Sequence, residues 1–129
     1  MVEALWLVDS SGWIEYFTDG PNANAFAAQI EQPSALVVPS ISLLEVYRWM
    51  VRCHGEGPAI QAIALMRQGQ EIPLDTALAL QAAQVGLEWK LPLADSIILA
   101  TALVHKATLL TQDADFEGIS TVQYIPKQS

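Results

Sequence analysis

The sequence predicts one doubly wound α/β domain, and three observations carry that expectation. Residues 4–8 form a continuous apolar run, the pattern of a strand buried on both faces of a parallel sheet, and further short strand signals recur at 36–38 and 108–110. Between them lie longer segments with apolar residues at helical spacing, so strands alternate with helices and pair through right-handed crossovers. A chain of 129 residues, 52% hydrophobic, suffices for one buried core, and it holds no repeat, low-complexity tract or dividing linker. The expected domain takes in residues 1–129.

Each element has its own signal. The run Ala4-Leu5-Trp6-Leu7-Val8 is the first strand and ends at Asp9. Ser10-Ser11-Gly12 turns the chain into a short helix over 13–17, which Asp19-Gly20-Pro21 breaks. Asn22 caps a second helix to about residue 32, and Pro33-Ser34 closes that unit. Leu36-Val37-Val38 is the second strand, stopped by Pro39. From Ser40 to about Cys53, Leu43, Val46, Tyr47 and Met50 share one side of a helix. Gly55 and Gly57-Pro58 separate it from a helix ending near Arg67. Ile72-Pro73-Leu74 reads as a third strand, at a sheet edge because proline donates nothing to a ladder. Asp75 or Thr76 caps an Ala/Leu-rich helix to about Trp89, and Leu91-Pro92-Leu93 leads into a helix over 95–106. Strands four and five follow at 108–110 and 121–125.

Composition narrows the function classes. No apolar run nears the roughly 20 residues that span a bilayer, and acidic Glu3 before a short apolar run does not make a secretory leader. The expected compartment is the cytoplasm, and the lone Cys53 suits a reducing environment. A net charge of −8 with six Lys and Arg argues against gripping nucleic acid by bulk electrostatics. A nucleic-acid enzyme with this balance needs metal ions, a local basic strip such as Arg48 and Arg52, or a second subunit. His54, His105 and one Cys make a poor zinc site, so both histidines are read as solvated helix ends. Trp6, Trp13, Trp49 and Trp89 are assigned to core or dimer contacts rather than to base stacking, because they fall on apolar faces.

Four carboxylates stand out against this background. Asp9 follows the first strand, where open parallel sheets place ligands, although it also suits a helix cap. Ser42-x-x-Glu45 has capping-box spacing. A helix starting at Ser40 instead puts Glu45 beyond the first turn, facing Arg48 and Trp49. Asp95 opens a helix that is apolar almost all round. The helix dipole accounts for a first-turn acid with about 1 kcal/mol at most, but a buried one needs a cation or donors. Asp113 follows strand four, with Asp115 as a spare acid two residues on.

If strands one and four are neighbours where the strand order reverses, all four converge on one crevice. Crowded carboxylates raise one another's pKa, and a hard divalent cation, Mg²⁺ or Mn²⁺, relieves the conflict. The reaction class suggested is metal-dependent hydrolysis of a phosphodiester. Ser10 and Thr111 hydroxyls would orient water or bind phosphate, and Arg48 and Arg52 would hold the substrate backbone.

The ordered set Asp9-Ser10-Ser11-Gly12-Trp13-Ile14, Pro39-x-Ile41-Ser42-x-x-Glu45, Leu93-Ala94-Asp95-Ser96-Ile97-Ile98-x-Ala100 and Leu110-Thr111-Gln112-Asp113-x-Asp115-Phe116 resembles the PIN-domain family. Within that family it is most similar to VapC-type toxin ribonucleases of prokaryotic toxin–antitoxin pairs. The match runs from about Leu5 to Tyr124. It implies a three-layer α/β/α fold whose parallel sheet has the order 3-2-1-4-5. It also carries Asp9, Glu45, Asp95 and Asp113 onto the family's acidic positions, Asp115 onto a frequent extra acid, and Thr111 onto a hydroxyl beside the site. The metal ligands expected on that basis are Asp9, Asp95, Asp113 and Asp115.

The resemblance further implies an endoribonuclease that uses Mg²⁺ or Mn²⁺, cuts RNA, forms a homodimer and is blocked by a cognate antitoxin. An acidic chain suits a basic inhibitor. The rival readings are a PIN-like binding module without catalysis and a housekeeping nuclease without an antitoxin.

Overall fold

The computed structural model of the chain describes residues 4–128. The chain runs β1 (Trp6–Val8), α1 (Ser10–Phe17), α2 (Ala23–Ile30), β2 (Val37–Pro39), α3 (Ser40–His54), α4 (Glu56–Met66), β3 (Gln70–Ile72), α5 (Thr76–Trp89), α6 (Leu93–His105), β4 (Thr108–Thr111) and β5 (Val122–Tyr124). Single 3-10 turns at Pro33–Ala35 and Ala114–Phe116 lead into β2 and follow β4.

All strand pairs are parallel. β4 lies between β1 and β5, with Leu7 opposite Leu109 and Leu110 opposite Gln123. β2 pairs with β3, and one parallel bridge, Trp6 to Leu36, joins β2 to β1. The strands therefore follow the expected order 3-2-1-4-5, but the ladder is interrupted between β2 and β1, giving one three-stranded and one two-stranded sheet.

Alternation along the strands explains the continuous apolar runs. Leu7, Val37 and Leu109 turn to one face and join Leu99, Ile98 and Phe116 in one core. Val8, Val38 and Leu110 turn to the other face and join Trp13, Phe26 and Met66. Helices cover both faces, so no strand position of β1 or β4 has a solvent side to mark with polar residues. A Cβ on Gly12 would lie 2.6 Å from a Phe26 ring carbon and 2.7 Å from Val8 Cγ1. Glycine there lets α1 leave β1 directly and rest on α2.

Several boundaries differ from expectation, each for a local reason. β3 is Gln70–Ile72 rather than 72–74, because Pro73 ends it. The strand is an exposed edge, so Gln70 and Glu71 need not be apolar. Gly55, at φ 91°, alone separates α3 from α4. Pro58 then falls in the first turn of α4, where a missing N–H breaks no helical hydrogen bond. α1 starts at Ser10 and α6 at Leu93, earlier than residues 13 and 95. Asn22 precedes α2 without capping it. Its side-chain amide instead donates to Gln112 Oε1 and to the Pro126 carbonyl, each at 3.0 Å. His54 and His105 fall in the last turns of α3 and α6, as expected. Among the described residues, no helix is long and apolar enough to cross a membrane.

Candidate active site

Because β1 and β4 are parallel neighbours, their C-terminal ends deliver Asp9 and Asp113 to the same edge of the sheet. Asp9 is 2% exposed and is the N-cap of α1. Its Oδ1 accepts from the Gly12 amide at 3.0 Å, its Oδ2 from the Thr111 hydroxyl at 2.8 Å, and both oxygens accept from Ser11 Oγ at 2.9 Å. Capping and membership of the crevice are thus one role, not alternatives. Burial pushes the Asp9 pKa up to about 6; the three donors oppose that rise and the Asp113 charge adds to it.

Thr111 is fully buried. Its hydroxyl donates to Asp9 and accepts from the Asp113 amide at 2.9 Å, tying the two strand ends together. Glu45 lies on α3 beyond its first turn, and its Oε1 accepts from Ser10 Oγ at 2.6 Å. The capping box does not form, since Ser42 Oγ is buried without a hydrogen-bond partner. Glu45 faces Arg48 without an ion pair to it; the ion pair found among the described residues is Arg67–Glu71. Of the two hydroxyls expected to meet water or phosphate, Ser10 lines the cleft and donates to Glu45, and Thr111 donates to Asp9 and accepts from the Asp113 amide.

Asp95 sits in the first turn of α6, half-buried. One carboxylate oxygen from each of Asp95, Asp113 and Asp115 lies within 4.8 Å of the others. Asp95 is pushed up to about 8, first by burial, then by the Asp113 charge and by sharing a proton with Asp115 and Asp113. Asp115 is exposed on the 3-10 turn after β4, where its amide donates to Asp113 Oδ1 at 2.9 Å.

A cleft of about 260 Å³ brings these groups together. Asp9, Glu45, Asp95 and Asp113 all line it, and Arg48, Trp49 and Arg52 of α3 form part of its wall. Asp9 is not in the close trio, and its oxygens accept from Gly12, Ser11 and Thr111. The trio offers only oxygen donors, and the raised pKa of Asp95 marks a missing positive charge. That is the donor chemistry of a hard divalent cation, so Asp95, Asp113 and Asp115 fit the group that the family implies.

Sequence reasoning passed over two features. Ser11 is a donor to Asp9 that reads in sequence as plain turn chemistry. Trp49, assigned to core or dimer contacts, is only half-buried and faces the cleft. The available signal was its spacing, four residues after Glu45 on the same helix face.

The PIN domain family model matches residues 6–121. No curated protein matches significantly. Among solved structures, a toxin–antitoxin complex from Klebsiella pneumoniae is 28% identical over 93% of this chain and 99% of its own, with a TM-score of 0.76. DNA-bound VapBC from Salmonella typhimurium covers 96% and 98% at 14% identity and a TM-score of 0.73. The sarcin–ricin-loop-cleaving VapC toxin of Mycobacterium tuberculosis covers 88% and 94% at 18% identity and a TM-score of 0.70. The last two likenesses are of fold.

Proposed function

The chain belongs to the PIN-domain family, and from that premise we propose that it is a metal-dependent endoribonuclease, the toxin of a VapBC-type toxin–antitoxin pair acting in the cytoplasm. The observation that carries this reading is the carboxylate trio within 4.8 Å at a cleft lined by two further acids. A purely structural role would not assemble uncompensated acids at this cost.

Asp95, Asp113 and Asp115 would hold Mg²⁺ or Mn²⁺. When bound, the cation supplies positive charge against the phosphate and acidifies water. Asp9, pinned by Thr111, Ser11 and Gly12, takes up the proton of the attacking water. A carboxylate raised to about 6 is a better base for that task than an ordinary Asp. Glu45, fixed by Ser10, orients the water from the opposite wall. Arg48 and Arg52 bind the phosphates flanking the scissile bond.

The partners follow from surface chemistry. Leu87 and Leu93 are each 83% exposed at the α5–α6 end, and a homodimer would cover them. A basic antitoxin side chain entering the cleft would neutralise the carboxylates that need a cation, consistent with a toxin–antitoxin complex being among the similar structures.

The test is cleavage of RNA by the purified protein with Mg²⁺. EDTA and Asp95→Asn should each abolish it while circular dichroism stays native. Expression should arrest growth, relieved by the product of the adjoining reading frame. If Asp95→Asn cuts like its parent, the activity belongs to a contaminant. Binding of RNA without cleavage leaves a non-catalytic module.

A further inference from the structure

We propose that Trp49 is the stacking platform of a nucleobase subsite beside the acidic cleft, so that the preferred ligand is an unpaired RNA strand crossing α3. The inference rests on the nuclease reading for the identity of the ligand, and it adds where and how that strand is held.

Trp49 borders two openings. It lines the acidic cleft with Arg48 and Arg52, and it lines a neighbouring cleft of about 430 Å³ with Ser11, Thr18 and Lys127. The indole is therefore shared by the walls of both openings. Its buried part packs against the core that contains Val46 and Met50, and the His54 ring lies 5.6 Å away at 50°. A side chain held in this way presents its free surface with little rotamer entropy to lose.

Charge points the same way. The chain has six Lys and Arg at a net charge of −8, and Arg48, Arg52 and Lys127 all line these two adjoining clefts. None of the three is in an ion pair among the described residues. Half of the chain's Lys and Arg thus border one half-exposed indole without ion pairs, beside the carboxylates of the acidic cleft and Glu15 of its neighbour. Phosphates on either side of a stacked base would meet Arg48 and Arg52 on the cleft side and Lys127 on the other. Aromatic stacking needs a free base face and tolerates any base, so duplex RNA is disfavoured and base identity matters little.

The test measures binding apart from cleavage. A labelled single-stranded RNA oligonucleotide is titrated by fluorescence anisotropy with Ca²⁺ in place of Mg²⁺, and gels verify that the probe stays intact. Trp49→Ala should weaken binding roughly 5- to 100-fold, and Trp49→Phe less than about threefold. Lys127→Ala should lower the slope of log affinity against log salt by about 0.7. The unaltered protein should bind an oligonucleotide of abasic sugars as weakly as Trp49→Ala binds RNA. Equal affinity of the unaltered protein for abasic and normal RNA overturns the proposal, and that comparison needs no variant to fold. Equal binding by a natively folded Trp49→Ala overturns it too. If the unaltered protein binds RNA through Trp49 but never cuts it with Mg²⁺, the nuclease reading fails and the subsite stands.

Discussion

Replacing Asp95 with asparagine should stabilise the metal-free protein while removing a metal ligand. In the folded chain Asp95 is pushed from 3.8 to about 8, chiefly by burial and by the neighbouring Asp113 charge. The unfolded chain has no such pressure. Between pH 4 and 8 the folded state therefore holds the extra proton, and stability falls as pH rises through that window. At about 1.4 kcal/mol per tenfold change in proton affinity, the whole interval corresponds to about 5–6 kcal/mol. Asp95 is only half-buried, so water and counter-ions screen most of that, and about 1–2 kcal/mol remains. Asparagine keeps the shape and has no proton to lose. For a chain of 129 residues this gain is about 4–8 °C in Tm. Thermal melts followed by circular dichroism in EDTA should show Asp95→Asn above its parent by that margin at pH 8.5 and close to it at pH 4.5. Asp9 titrates in both proteins and cancels. Added Mg²⁺ should then raise the parent's Tm and leave the variant's unchanged. A variant that melts below its parent at pH 8.5, or gains equally at both pH values, refutes the reasoning.

Two further outcomes follow from the supporting contacts. Thr111→Val strips a donor from Asp9 Oδ2 and an acceptor from the Asp113 amide, which should cost about 1–3 kcal/mol in urea melts and at least about tenfold in cleavage rate. Thr111→Ser should recover most of both, and a Val variant as active as its parent would show that the shared hydroxyl is idle. Gly12→Ala should cost about 1–3 kcal/mol by driving a methyl into Phe26 and Val8, read as a fall in Tm with no change in Mg²⁺ affinity at matched folding.

Much of the architecture was legible in the sequence because burial on both faces leaves no choice of residue. Leu7-Val8 and Leu109-Leu110 must be apolar on successive positions, so β1 and β4 announce themselves. β3 does not, since an edge strand escapes that demand and Gln70 and Glu71 look like loop. Asp9 and Asp113 were findable because parallel strands end on the same side. The partners that fix them were not: Ser10 meets Glu45 across 35 residues and Thr111 meets Asp9 across 102. Such contacts depend on how helices settle onto the sheet, which periodicity does not encode. The same limit hid Trp49, whose helix face was readable but whose uncovered side was not.

The interrupted ladder bears on how the site accommodates what enters it. Glu45 rides on the helix after β2, whereas Asp9 and Asp113 terminate strands of the other sheet. Among the described residues, the Trp6–Leu36 bridge links those halves at the strand ends away from the cleft, the Ser10 hydroxyl links them beside it, and interleaved side chains supply the remaining cohesion. Packed surfaces slide by small shear steps more easily than hydrogen-bonded strands part. The half carrying Glu45, Trp49 and the arginines is thus held to the half carrying Asp9 and Asp113 mainly by packing, and it is the half expected to shift when the cleft takes up a strand.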